Sequence, residues 1–191
     1  FSFWQSLNLI PTPDYNPSIT LNIDTNEVFT AYFFGEPDTN RITFSEINYR
    51  SIVNWDAGDW VELHNYGTVD VDISGWVLRD SANNSFTIPD STVLAQNEYL
   101  VLCEDTAKFV LYNNSVNNYM GPFNFGISSS GEKLRLFDAD NQLYLSLSFT
   151  GDSLWPSAAN GYGPTLELLD PYNNLSSYYN WFAGCFGGSP G

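Results

Sequence analysis

Ile42-Thr-Phe-Ser-Glu-Ile-Asn-Tyr49 is the first of five short apolar segments that decide the fold of this chain. Glycine, asparagine, aspartate and proline, the residues that favour turns, separate these segments. The other four are Asp59-Trp-Val-Glu-Leu-His-Asn65, Ile73-Ser-Gly-Trp-Val-Leu-Arg-Asp80, Phe86-Thr-Ile-Pro89 and Glu98-Tyr-Leu-Val-Leu-Cys-Glu104. Short strands at regular spacing with turn residues between them predict an all-β sandwich.

The charge of the chain narrows its class of function. The 191 residues include 22 Asp and Glu against six Lys and Arg, for a formal net charge of -16. Such a surface repels nucleic-acid phosphates and anionic membrane surfaces. A hydrophobic content of 43% supports a packed core. We therefore expect a folded protein that binds no nucleic acid and, without a long apolar run, does not insert into a membrane.

The chain divides into two predicted parts, 1–38 and 39–191, at the polar, turn-rich stretch Gly35–Asn40. In the first part, Ser18–Ile23 and Glu27–Phe34 read as the strands of one hairpin. An isolated hairpin is only marginally stable in water. Either this hairpin packs on the second part, or 1–38 is the C-terminal remnant of a preceding small β-domain. We favour the second alternative and expect the chain to be a piece of a longer protein.

The second part contains one predicted helix and a clear hairpin. Asp105–Tyr112 has a good capping residue at its start, and Phe109 and Tyr112 would share one face. Lys133–Phe137 and Leu143–Phe149 alternate polar and apolar residues on either side of a turn. A further strand is predicted over 165–169.

Several pieces of the sequence, in this order, resemble the lamin tail domain, in its bacterial, extracellular branch. They cover about 150 residues. The first are Ser45–Tyr49, Asp59–Asn65, Ser74–Leu78, Phe86–Pro89 and Ser128–Leu134. The later ones are Trp155-Pro156, Gly161–Glu167, Asp170-Pro171, Trp181 and Gly188–Gly191.

The resemblance implies an immunoglobulin-like β-sandwich without catalytic activity. In nuclear lamins the module is an interaction domain, and in bacteria it is an accessory module of large secreted or surface proteins. Val28–Phe33 resembles the end of the small β-repeats that often precede such modules. The strongly acidic charge departs from the nuclear branch and argues against carrying over any nucleic-acid binding.

Two glutamates and the single histidine are the candidates for catalysis. Glu46 and Glu62 could be interpreted as the paired acids of a glycoside hydrolase. Both lie in predicted strands, at family positions that carry no catalysis, so we favour structural hydrogen bonds for them. His64 has no second histidine to complete a metal site, and phosphate-binding and nucleophile-elbow motifs are absent. We assign no catalytic residue.

Two binding hypotheses remain. Trp55, Trp155 and Tyr162 are candidates for an aromatic platform that stacks on sugar rings, with packing at the edge of the core as the alternative. Asp138, Asp140 and Asn141 have the spacing of early calcium-loop ligands but lack the later glycine and bidentate glutamate, so a plain hairpin turn competes with calcium. No other cofactor is expected.

Three further residues carry structural predictions. Trp76 follows a glycine in a strand and should be a core residue. Cys103 ends an apolar strand and Cys185 lies in a glycine-rich tail. These cysteines are either two unrelated thiols, which we favour, or a disulfide that ties the tail to the sandwich.

The sequence thus predicts a non-catalytic interaction or scaffold module of a secreted or cell-surface protein, with adhesion as one role. Its partners would be other domains of the same chain and surface proteins or glycans. The alternative is a carbohydrate-binding module attached to an enzyme.

Overall fold

A computed structural model of the chain describes residues 3–5, 30–32, 41–152 and 154–191. Contacts divide the chain into two compact units, 1–39 and 40–191. In the first unit, strands β1 (Phe3–Gln5) and β2 (Thr30–Tyr32) pair antiparallel, with Trp4 opposite Ala31. The sequence did not predict β1. The predicted strand over 18–23 lies outside the described residues.

The second unit is a β-sandwich, which confirms the predicted fold class. Its strands, in chain order, are β3 (Ile42–Asn48), β4 (Trp60–Asn65), β5 (Val71–Asp72), β6 (Val77–Arg79), β7 (Ser85–Thr87), β8 (Val93–Leu94), β9 (Tyr99–Cys103), β10 (Tyr119–Met120), β11 (Gly131–Phe137), β12 (Leu143–Thr150), β13 (Pro164–Leu168) and β14 (Trp181–Phe186). One α-helix, α1 (Thr106–Tyr112), and two short 3₁₀ turns, Ser157–Ala159 and Tyr178–Asn180, complete its described elements.

Two sheets enclose the main core. The larger has the strand order β10-β9-β4-β3-β13-β14 and the smaller β12-β11-β6-β7, while β5 and β8 form a separate pair. All pairs are antiparallel except β10 with β9. The core takes Phe44 and Leu63 from the larger sheet and Leu78 and Leu134 from the smaller, each fully buried. Trp76 is also in this core, as predicted.

The predicted helix is confirmed, and its cap explains where it starts. The Asp105 carboxylate accepts hydrogen bonds from the backbone N–H groups of Ala107 (2.9 Å) and Lys108 (3.0 Å). These groups have no partner within the helix, so the cap satisfies them. Phe109 is buried against Trp60, with their ring centroids 5.8 Å apart. The helix therefore covers part of the outer face of the larger sheet.

The predicted hairpin is confirmed as β11 and β12, with one departure. Leu134 pairs with Leu147, and Leu136 with Leu145. The register then shifts by one residue, and Leu143 is 55% exposed. The alternation of apolar residues therefore stops short of Leu143, because a bulge moves the end of the strand out of phase with the pleat.

The C-terminal residues complete the larger sheet. Strand β13 pairs with β3 on one side and with β14 on the other. Trp181 is 3% exposed, and its ring centroid lies 6.5 Å from that of Trp155. Its indole N–H donates to the Leu175 carbonyl (2.7 Å). Among the described residues, no helix has the length and apolarity needed to cross a membrane.

We predict that Trp181→Ala lowers the free energy of unfolding by about 3 to 5 kcal/mol, the range for removing a buried large aromatic. Urea unfolding of the full chain measures this. Phe182→Ala is the matched control, because Phe182 is 39% exposed and its loss should cost less than about 1 kcal/mol. Equal effects of the two changes would mean that β14 is not packed on the sandwich.

Candidate functional site

Three glutamates form a row across the outer face of the larger sheet. Glu46 of β3 pairs with Glu62 of β4 and with Glu167 of β13, so the three side chains are lateral neighbours. On β4, Val61 and Leu63 enter the main core, which places Glu62 on the opposite face. We call Glu46, Glu62 and Glu167 the glutamate row.

Residues 187–191, which we call the strap, lie over the glutamate row. The Ser189 N–H donates to Glu46 Oε1 (3.0 Å), and its hydroxyl lies 3.3 Å from Glu46 Oε2 and 3.2 Å from Glu167 Oε1. The Gly191 N–H donates to Glu62 Oε2 (2.7 Å). Glu46 and Glu62 are consequently only 2% and 3% exposed.

A glycine in the strap allows this close approach. Gly188 has φ of +85°, in the left-handed region that glycine adopts most readily. A Cβ at this position would lie 2.5 Å from Glu46 Oε1 and 3.0 Å from Trp60 Cζ2. A larger residue at Gly188 would therefore lift the strap from the row.

Burial dominates the electrostatics of the row. It raises the pKa of Glu46 to about 7, an effect reinforced by the neighbouring charges of Glu62 and Glu167 and opposed by hydrogen bonds from Thr165 and Ser189. Burial likewise raises the pKa of Glu62. The Thr165 hydroxyl lies 2.5 Å from Glu46 Oε1. Uncharged hydrogen-bond donors thus hold the glutamate row in a position with little access to water.

This geometry does not suit acid–base catalysis. A general acid or base must come within hydrogen-bonding distance of its substrate. Glu46 and Glu62 are covered, and their oxygens accept structural hydrogen bonds, including one from the Ser45 hydroxyl to Glu62 (2.6 Å). His64 is half-buried and stacks on Tyr99 with ring centroids 4.1 Å apart; burial lowers its pKa. The contacts described for Glu46, Glu62 and His64 are therefore contacts that hold the fold together.

A second acidic group surrounds Asp59, in the acid-rich sequence Asp56-Ala-Gly-Asp59. Its carboxylate accepts the Ile127 N–H (2.6 Å), and its own N–H donates to Glu104 Oε2 (3.1 Å). Burial raises the pKa of Asp59 to about 7, and the charges of Glu104 and Asp56 act in the same direction. In the sequence, the close spacing of the two aspartates in Asp56-Ala-Gly-Asp59 indicates this acidic group. Within the described ranges, no cluster of three or more metal-binding side chains occurs.

The proposed calcium ligands lie in the turn between β11 and β12. The Asp138 carboxylate accepts the backbone N–H of Gln142 (2.7 Å). The amide oxygen of Asn141 accepts a hydrogen bond from the Arg79 guanidinium (2.7 Å), while Asp140 is exposed. These bonds are those of a plain hairpin turn, and Arg79 would repel a cation at Asn141. Calcium binding here stays a prediction.

The three residues predicted to form an aromatic platform differ in their exposure. Trp155 is 7% exposed and packs edge-on against Phe149 in the core, so it offers no face to a ligand. Trp55 and Tyr162 are 36% and 72% exposed. The sequence placed Trp155 on a loop, but the apolar neighbours that bury it come from distant strands.

The structure surrounds Trp55 with two other aromatic residues. Its ring lies 4.7 Å from the Tyr112 ring and 5.7 Å from the Phe186 ring, measured between centroids. A Cβ at Gly163 would meet the Phe186 ring at 2.4 Å, so the loop that carries Tyr162 also reaches this cluster. We call Trp55, Tyr112 and Phe186 the aromatic cluster.

The two cysteines are free thiols, so the disulfide alternative is wrong for this structure. Cys103 is buried, and burial raises its pKa to about 12. Cys185 is exposed, and its thiol donates to the Gly188 carbonyl (2.8 Å).

The raised pKa of Asp59 predicts a pH dependence of stability. Between its ordinary value of 3.8 and about 7, the folded chain keeps a proton that the unfolded chain releases, so stability falls as pH rises. Between pH 5 and pH 7.5, ionisation of Asp59 should lower the free energy of unfolding by about 2 kcal/mol.

We predict that Asp59→Asn reduces the loss of stability over that range, because the neutral amide still accepts the Ile127 N–H. Urea unfolding at both pH values measures the loss. Asp140→Asn, which removes an exposed carboxylate, should leave it as in the wild type. Identical pH dependence in Asp59→Asn and the wild type would show that Asp59 is ionised in the folded chain.

Comparison with known proteins places these features in a family. A search of curated proteins finds no match to the chain. The family model of the Lamin Tail Domain matches residues 36–151, which is more than half of the sequence. The matched range includes β3 to β12, and therefore the whole smaller sheet and the centre of the larger one. The chain belongs to the lamin tail domain family.

Proposed function

We propose that this chain is an interaction or scaffold module of a larger secreted or cell-surface protein, with adhesion as its role there. The lamin tail domain family is a non-enzymatic, immunoglobulin-like interaction domain, and this supports the proposal. The observation that carries it is the family match over residues 36–151, a range that includes Glu46 and Glu62, the sequence's best catalytic candidates.

We assign the chain to the bacterial, extracellular branch of the family, preceded by a small β-repeat. A formal net charge of -16 supports an extracellular place, since it disfavours binding to nucleic acid. The sequence pieces after residue 151, which lie beyond the family match, also support this branch. The partners that fit such a module are neighbouring domains of the same chain and proteins or glycans of the surface.

A carbohydrate-binding module is the second candidate, favoured by the aromatic cluster. Trp55 is partly exposed beside Phe186, which is 57% exposed, and Tyr162 projects from the neighbouring loop. Exposed aromatic faces stack on the apolar faces of sugar rings through the same contacts that pair aromatic side chains. This candidate requires that ligand binding depend on Trp55.

A glycan array, run with calcium and with a chelator, separates the two candidates. For the interaction module we expect no specific retention of the full chain in either condition. Titration calorimetry against separately produced neighbouring domains should instead give saturable binding. Failure to bind any of these domains would contradict the scaffold proposal.

If the array shows retention, we predict that Trp55→Ala abolishes it, because the indole would supply the stacking surface. Tyr179→Ala is the matched control, since it removes an aromatic ring that is 77% exposed but outside the aromatic cluster. Retention lost in Trp55→Ala alone would establish the carbohydrate-binding function. Loss of retention in the chelator would additionally support the calcium site at Asp138.

A further inference from the structure

The Ser189 hydroxyl lies between two carboxylates. It is 3.3 Å from Glu46 Oε2 and 3.2 Å from Glu167 Oε1. A hydroxyl has one proton to donate and can also accept. If both carboxylates were ionised, Ser189 could satisfy only one of them. If Glu46 carries a proton on Oε2, it donates to Ser189, and Ser189 donates to Glu167, so the hydroxyl has a partner on each side.

The other oxygen of Glu46 agrees with this arrangement. Oε1 accepts from the Thr165 hydroxyl (2.5 Å) and from the Ser189 N–H (3.0 Å). Oε2 receives only a longer contact from the same N–H (3.3 Å) and the Ser189 hydroxyl, so the proton of a neutral Glu46 would lie on Oε2. A neutral Glu46 thus lets the Ser189 hydroxyl bridge the two carboxyl groups.

The charged groups around Glu46 make its ionised form unfavourable. Glu62 on β4 and Glu167 on β13 are both acidic, and the Cys185 thiol on β14 lies near Glu167 and Glu46. The strap itself, Gly-Gly-Ser-Pro-Gly, contains no charged side chain. Its docking removes water from the row without supplying a cation. Ionised carboxylates in such a place are costly unless they are paired.

We propose that residues 187–191 form a proton-controlled strap, which lies on the glutamate row while Glu46 is protonated and leaves it when Glu46 ionises. Acidic conditions close the strap and neutral to alkaline conditions open it. Opening exposes the three carboxylates of the row and the edge of the Trp60 ring, on which Gly188 lies. This switch does not depend on the module's partner.

The direction and size of the effect follow from the two protonation equilibria. The pKa of Glu46 is about 7 with the strap in place, against an ordinary value of 4.5. The docked state therefore binds the proton more tightly, and docking weakens as pH rises from about 4.5 to 7. Because Thr165 and the flanking glutamates stay in place when the strap leaves, these two values set an upper limit of about 40-fold on the fall of the docking equilibrium between pH 5 and pH 7.

Amide hydrogen exchange of the full chain, followed by NMR, tests the proposal. The amides of Ser189 and Gly191 donate to the row, so their protection factors, corrected for the intrinsic pH dependence of exchange, report docking. We expect these protection factors to fall from pH 5 to pH 7, by at most about 40-fold. The amide of the buried Val101 on β9, which donates to the Asn118 carbonyl (3.0 Å), should keep its protection.

Two variants complete the test. Glu46→Gln places a neutral group in the same shape, so Ser189 should stay protected at pH 7, and the pH dependence of both amides should become smaller, with the remainder due to Glu62. Gly188→Val should remove protection from both amides even at pH 5, because its Cβ would collide with Glu46. Constant protection in the wild type, or an unchanged pH dependence in Glu46→Gln, would overturn the proposal. A parallel loss at Val101 would also overturn it, by showing global unfolding.

Discussion

The structure depends on the burial of its central strands on both faces. Val61 and Leu63 of β4 pack into the core between the sheets, while Trp60 of the same strand packs beneath α1 in a second cluster. Antiparallel sheets commonly expose one face to water. Here α1 and the strap cover parts of that face, so the molecule has a third, partial layer. Polar residues within that layer, above all Glu46, must find partners in the protein.

Local chemistry determined the features that could be predicted. The cap of α1 depends on Asp105 and the next three residues, and the hairpin of β11 and β12 on alternation within two neighbouring segments. Such signals are complete within a short stretch of chain. The five segments between residues 42 and 104 predicted the β-sandwich because each strand and turn pattern is also local. The resemblance to the family added the immunoglobulin-like topology.

The site could not be predicted because its contacts are distant in sequence. Ser189 lies 143 positions from Glu46, and nothing in a glycine-rich tail indicates where it docks. Trp155 lies outside the strand patterns of the sequence, and the rings that bury it, Phe149 and Trp181, come from other segments of the chain. A one-residue shift of register likewise exposed Leu143, since strand alternation does not reveal bulges.

The exposure of Cys185 beside the strap has a practical consequence. The chain has two cysteines, and Cys103 is buried out of reach of a reagent in solution, whereas Cys185 is exposed. A maleimide dye or nitroxide spin label should therefore attach at one place without any engineering of the sequence. That place is two residues before the strap begins. The native molecule thus carries its own attachment point for spectroscopic probes of this region.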